Sequence, residues 1–191
     1  MRFSHEQATA TTPPEDAKGS PGTHHRNSAA RSDAAGSAMS IPQPRLLVIE
    51  DSDEDFVAMV RAFRQAGWDR VPERCATGDE ALDYLYRRGA IAANAPVPAP
   101  QLILLDLNLP GTDGRTLLAT IKADIQLQTI PVIVLTTSDN PRDIDDCYRY
   151  GANSYQVKPV DYPRFKQALR NLIAYWLETA MLPKPQEEHH G

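Results

Sequence analysis

Three apolar runs stand far apart along the chain: Leu46-Leu47-Val48-Ile49, Leu102-Ile103-Leu104-Leu105 and Val132-Ile133-Val134-Leu135. None alternates apolar with polar positions, which is the pattern of strands buried on both faces of a parallel sheet. Tyr155-Gln156-Val157-Lys158-Pro159 is shorter and less apolar and reads as a fifth strand, and Val71 to Cys75 as a short second one. Between the strands, apolar positions recur at helical spacing. Phe56, Met59, Val60 and Phe63 form the stripe of a helix from about Asp53 to Ala66, with Gly67 as its stop. Thr77-Gly78-Asp79-Glu80 has capping-box spacing and opens a helix with Leu82, Leu85 and Tyr86 facing in, ended by Gly89. Ala90 to Pro100 reads as a loop. Pro110-Gly111-Thr112-Asp113-Gly114 is turn chemistry before a helix carrying Leu117, Leu118 and Ile121. Asn140-Pro141 caps a fourth helix with Ile144, Cys147 and Tyr148, which Gly151 terminates. Asp161 caps the last helix, which carries Phe165, Leu169, Leu172, Ile173 and Trp176 and runs to Glu178. This alternation predicts an α/β fold: a doubly wound, five-stranded parallel sheet with five helices and right-handed crossovers.

The pattern fails at both ends. Met1 to about Pro44 is rich in Ala, Ser, Thr, Pro and Gly, and after Met1 its large apolar residues are Phe3, Met39 and Ile41. Such a segment cannot bury enough surface to offset its ordering entropy. The expected division is a disordered tail over 1–44, a folded domain over 45–182 and a flexible C-terminal tail over 183–191. Met39, just before the first strand, reads as the natural start, with a functional tail as the alternative. In the N-terminal tail Arg2, Lys18, Arg26 and Arg31 balance Glu6, Glu15, Asp16 and Asp33, so the net charge of −5 belongs to the rest. An acidic domain is a poor candidate for binding nucleic acid. Cys75 and Cys147 show no metal spacing and read as partly buried thiols in a reducing cytoplasm. No apolar run approaches the ~20 residues that span a membrane, and the N-terminus lacks a signal peptide's apolar core. His24-His25 and His189-His190 lie in the tails and define no metal site.

Polar residues stand at the carboxyl ends of these strands. Glu50 and Asp51 come after the first, Asp106 after the third and Thr136 after the fourth, and Lys158 sits at the end of the fifth. Ligands of open α/β sheets bind at the carboxyl ends of the strands, so these groups are expected to converge. Asp106 is the candidate nucleophile, because a carboxylate can take up a phosphoryl group as an acyl phosphate. That chemistry asks mainly for positioning and charge neutralisation. Three carboxylates at one rim repel unless a cation joins them, and their oxygens suit Mg²⁺. Lys158 offers a point charge and Thr136 a hydroxyl donor for phosphoryl oxygens. Taken singly, Asp51 is a helix cap, Lys158 a surface lysine and Thr136 a loop hydroxyl. Asp53, Glu54 and Asp55 read only as acids suited to a helix start, and Asp113 as a turn or cap residue. No Ser/His/Asp context, CxxC pair or Gly-rich phosphate loop is present, and Glu50-Asp51-Ser52-Asp53 is the opposite of such a loop.

In order, spacing and chemistry these segments resemble the receiver domain of two-component response regulators, from about Arg45 to Leu182. Thr136 and Lys158 stand 30 and 52 positions after Asp106 (136 − 106 and 158 − 106), as in the bacterial chemotaxis receiver. The resemblance implies a flavodoxin-like strand order of 2-1-3-4-5 and phosphorylation of Asp106 by a sensor histidine kinase. It also implies Asp51 and Asp106 as direct Mg²⁺ ligands, Glu50 acting through water, and a backbone carbonyl ligand from Asn108. Tyr155 corresponds to the switch aromatic that responds when the hydroxyl of Thr136 moves toward the phosphate. Leu105-Asp106-Leu107-Asn108-Leu109-Pro110, Leu135-Thr136-Thr137-Ser138, and Trp176-Leu177 followed by Leu182-Pro183 look like the small regulators paired with phytochrome-type kinases. That narrower resemblance implies a bacterial phytochrome as partner and a homodimer through the fourth helix, fifth strand and fifth helix. About Thr179 to Gly191 leave no room for an output domain, so the output would be a surface. The expected role is that of a phosphoacceptor and not a turnover enzyme. Two other readings remain open: a phosphorylation-independent adaptor, and a haloacid dehalogenase-type hydrolase. The latter places an Asp-x-Asp pair after its first strand, whereas Asp106 comes after the third and precedes Leu107-Asn108.

Overall fold

A computed structural model of the chain describes residues 44–88 and 99–184. The expected tail up to Gln43, the helix stop at Gly89, most of the Ala90–Pro100 loop and the residues after Lys184 lie outside the described residues. The five strands are β1 (Leu46–Ile49), β2 (Glu73–Cys75), β3 (Leu102–Leu105), β4 (Val132–Thr136) and β5 (Ser154–Val157). All pair in parallel, in the order β2-β1-β3-β4-β5. The helices between and after them are α1 (Asp53–Gln65), α2 (Gly78–Leu85), α3 (Gly114–Ala123), α4 (Pro141–Arg149) and α5 (Tyr162–Ile173).

The apolar runs are buried throughout because their side chains feed two cores, one on each sheet face. Leu47, Ile49, Ile103, Leu105, Val132 and Val134 pack with Leu117, Leu118 and Ile121 of α3 and Cys147 of α4. Leu46, Val48, Leu102, Leu104, Ile133 and Leu135 pack with Met59 and Phe63 of α1 and Phe165 and Leu169 of α5. Each such side chain, fully removed from water, is worth about 1.5–3 kcal/mol. This double layer holds the carboxyl ends of β1, β3 and β4 level with one another.

Local chemistry starts each helix. Side chains of Ser52, Thr77, Asp113, Asn140 and Asp161 accept from the first-turn amides of α1 to α5 in that order. Glu80 reaches back to the Ala76 amide at 2.7 Å, one residue before the cap. Gly151 ends α4 at φ +96, a left-handed conformation that a side chain resists.

Two expectations change. The second strand begins at Glu73 and not Val71; Pro72 has no amide to give the ladder, and Val71 is exposed. The last helix is α-helical only to Ile173 and continues as a π-helix over Ala174–Thr179. There the Thr179 hydroxyl donates to the Ala174 carbonyl at 2.8 Å, and the Ala180 amide to that of Tyr175 at 2.7 Å. In this wider turn Trp176 and Leu177 pack on the α1/α5 core while Tyr175 stays exposed. Tyr148 of α4 is exposed, and its hydroxyl accepts from the Tyr155 amide at 3.3 Å.

Candidate functional site

The carboxyl ends of β1, β3, β4 and β5 bring Glu50, Asp106, Thr136 and Lys158 together, and these four are the buried polar residues of the described chain. One carboxylate oxygen from each of Glu50, Asp51 and Asp106 lies within 4.8 Å of the others. Asp51 is exposed, so the acidic set opens to solvent on one side. Gly114 sets the floor of the site. A Cβ there would meet the Asp106 carbonyl oxygen at 2.5 Å and the Leu107 Cα at 2.6 Å, so only glycine lets α3 start so close behind Asp106.

Lys158 sits within this acid set. Its ammonium donates to Glu50 at 2.5 Å, Asp106 at 2.7 Å and Asp55 at 2.9 Å. Burial alone would push that ammonium down, but the bonds and charges of Asp106 and Glu50 outweigh it, and Lys158 is held above its ordinary value. Burial pushes the Glu50 carboxyl up, with Lys158 only partly offsetting it. Glu50 is also held locally, because its other oxygen accepts from the Ser52 amide at 3.1 Å.

The hydroxyl side is built differently. Asn108 bridges Asp106 and Thr136: its amide donates to Asp106 Oδ1 at 3.1 Å and its side chain to Thr136 Oγ1 at 3.3 Å. The same side-chain nitrogen lies 3.1 Å from Thr137 Oγ1. Beyond Thr136, the Ser138 hydroxyl donates to Asp143 at 2.6 Å, and Asp143 pairs with Arg115 at 3.1 Å. The Tyr155 ring packs against the α2–α4 core, and its hydroxyl donates to the Ser138 carbonyl at 2.9 Å. Ring and loop positions are therefore tied together.

All seven residues singled out in the sequence, Glu50, Asp51, Asp106, Asn108, Thr136, Tyr155 and Lys158, lie on this rim. Three contributions escaped the sequence. Asp55, read as a helix-start acid alone, is a partner of Lys158. The Asn108 side chain, and not only its backbone, faces Thr136. Arg74 of β2 grips the loop that carries Glu50 and Asp51. The available signal was an arginine at the end of the strand expected beside that acidic loop.

The donor set suits a hard divalent cation: carboxylate oxygens, open to water on one side, with Lys158 already partly neutralising them. Among the described residues no helix is long and apolar enough to cross a membrane. The response regulator receiver domain family matches residues 46–170. The chain belongs to that family. Response regulator Rcp1 of Synechocystis sp. is 35% identical over 144 residues, covering 75% of this chain and 96% of Rcp1. The solved Mn²⁺-bound form of Rcp1 superposes with a TM-score of 0.69, covering 74% of this chain and 99% of that one. The phosphorylated cyanobacterial phytochrome response regulator RcpA gives 0.67 at 36% identity, with coverage of 74% and 99%. The receiver protein described here is thus a relative of phytochrome response regulators and a component of two-component signalling.

Proposed function

We propose that this response regulator accepts a phosphoryl group on Asp106 from a sensor histidine kinase of the phytochrome type. The observation that carries the reading is the buried Asp106 carboxylate within 2.7 Å of the Lys158 ammonium, beside two further acids. A carboxylate oxygen of Asp106 bonds to phosphorus, the bond from phosphorus to the kinase imidazole nitrogen breaks, and the imidazole leaves with the electron pair. Lys158 then donates to a phosphoryl oxygen, and Thr136 donates its hydroxyl to another. Glu50, Asp51 and Asp106, with the Asn108 carbonyl, would hold Mg²⁺, which lowers the charge that the incoming phosphoryl group meets. Similarity to Rcp1 and RcpA supports the choice of kinase class.

The output is a surface that follows Tyr155. Tyr148, Tyr150, Val157 and Tyr175 are exposed on α4, β5 and the end of the last helix. Aromatic residues of this kind are favoured at interfaces, and a two-fold homodimer through α4, β5 and α5 would bury them. The domain boundaries go with this reading: residues 45–182 form the receiver, and 1–44 and 183–191 are appendages that phosphotransfer does not need. Incubation with a labelled cognate kinase tests the assignment. Wild type should acquire a base-labile label, Asp106→Asn should acquire none, and full labelling of that variant would refute it.

A further inference from the structure

We propose that Arg74, on the edge strand β2, is a positioning residue for the divalent-cation site, fixing the backbone from which Asp51 projects. The inference rests on the reading of Glu50, Asp51 and Asp106 as a metal-binding set.

Asp51 is the weakly held member of that set. Glu50 is buried and bonded to Lys158 and to the Ser52 amide. Asp106 is buried and bonded to Lys158 and to the Asn108 amide. Asp51 is exposed, and among the described residues its carboxylate has no hydrogen-bond or ion-pair partner. Its place over Asp106 is set by its backbone, and that backbone is held from outside by one side chain. Arg74 Nε donates to the Glu50 carbonyl at 3.0 Å and Nη2 to the Asp51 carbonyl at 2.9 Å. A third nitrogen, Nη1, meets the Asp53 carboxylate at 2.5 Å. The guanidinium lies over the Phe56 ring of α1, 5.0 Å from its centroid.

The planar fork is what makes this possible. Arginine offers five N–H donors in fixed directions, so one side chain can take two successive carbonyls and a carboxylate at once. An ammonium cannot reproduce that pattern. The sheet supplies the rest of the geometry. Arg74 sits opposite Val48 in the β1–β2 register, and the Glu50 amide donates to the Cys75 carbonyl at 2.9 Å. The stem of Arg74 therefore starts beside the point where the chain leaves β1.

Charge and position make opposite predictions here. On charge alone, a cation beside the acidic set weakens metal binding, so its removal should tighten it. A positioning residue does the reverse, since groups that orient metal ligands typically cost 10–100-fold in affinity when lost.

The test measures Mn²⁺ binding to the full chain by the electron paramagnetic resonance signal of the free ion, with no phosphoryl donor present. It compares wild type, Arg74→Lys, Arg74→Met and Asp53→Asn, at a temperature where thermal melts show each to be folded. Arg74→Lys keeps the charge and the aliphatic stem, so the test stands on it alone if Arg74→Met does not fold. The expected result is affinity about tenfold or more weaker in both Arg74 variants. Asp53→Asn should stay within about twofold, because both carbonyl bonds remain. Wild-type affinity in Arg74→Lys, or tighter binding in Arg74→Met, would overturn the proposal. No Mn²⁺ binding by wild type would overturn the metal reading itself, and this inference with it.

Discussion

The two sides of the Asp106 site are tied down by different chemistry. On the acidic side, Lys158 and Arg74 make ionic contacts of 2.5 to 2.9 Å to Glu50, Asp106, Asp55 and Asp53. On the hydroxyl side, Thr136 is reached by neutral donors at 3.3 Å from Asn108 and 3.5 Å from the Ser138 amide. Charge-assisted hydrogen bonds are roughly twice as strong as neutral ones. The acidic groups are thus held by charge before any ligand arrives, whereas the Thr136 hydroxyl is held by neutral donors alone, and ionic contacts return only further along the loop, at Ser138, Asp143 and Arg115. A phosphoryl group on Asp106 shifts an equilibrium only where the two states bind it differently. On the proposed function that place would be the start of the β4–α4 loop at Thr136, and the Tyr155 hydroxyl is bonded to the same loop at the Ser138 carbonyl.

The largest effect comes from breaking the acidic side. Lys158→Met leaves buried Glu50 and Asp106 without their common cation. Removing one partner of a buried ion pair costs about 3–5 kcal/mol. Thermal melts of the metal-free variant should show the loss, and millimolar Mg²⁺ should restore part of it. A variant as stable as wild type would mean that the acidic side is not held by this lysine.

Asp51→Asn is the next step down. It removes one carboxylate from a site that keeps few protein ligands. Mg²⁺ affinity and the rate of phosphorylation should fall together, each by about tenfold or more, as judged by metal titration and by labelling in the same samples. A fall in phosphorylation with unchanged metal affinity would separate Asp51 from the cation.

Tyr155→Phe sharpens the other side of the comparison. It deletes the hydroxyl bond to the Ser138 carbonyl and keeps the ring. Stability should drop by only about 0.5–1.5 kcal/mol. Labelling of Asp106 should be preserved, and the response of the surface to phosphorylation should be reduced.

The smallest effect is kinetic. Both cysteines are fully buried, and burial pushes Cys75 up to about 12 and Cys147 up to about 11. At pH 8 both remain protonated, so neither should react appreciably with a thiol reagent in the folded protein, and labelling should quicken as pH rises. Cys147 lies on α4, beyond the loop that carries the neutrally bonded Thr136 side, and Cys75 on β2, beside Arg74. Local opening should therefore expose Cys147 first, which peptide mapping after partial labelling can read. Labelling of Cys75 first would reverse the ranking of the two sides.

Legibility in the sequence divides along the same line. β1, β3 and β4 were readable because burial on both faces leaves an uninterrupted apolar run. That Glu50, Asp106 and Thr136 come together was readable because parallel topology puts strand ends at one rim. Helix caps were readable from local spacing. Side-chain reach was not readable. Asp55 stands in the run Asp53-Glu54-Asp55, where the helix start already accounts for acids, and its partner lies 103 residues away. Arg74 belongs to a three-residue strand with no periodicity to mark it. The π-helical end of the last helix has no glycine or proline to signal it, and within it Trp176 and Leu177 pack on the core.

The most direct test compares amide NMR spectra of the Mg²⁺-loaded protein before and after beryllofluoride, a mimic of the phosphoryl group. Taking the Mg²⁺ form as reference removes the effect of the metal on Asp51. The account predicts the largest changes at Thr136 to Asn140 and at Tyr155, with Asp51 to Asp53 close to their starting positions, and no response in Asp106→Asn. Changes concentrated at Asp51 to Asp53 with the β4–α4 loop unmoved, or no response in the wild-type protein, would contradict it.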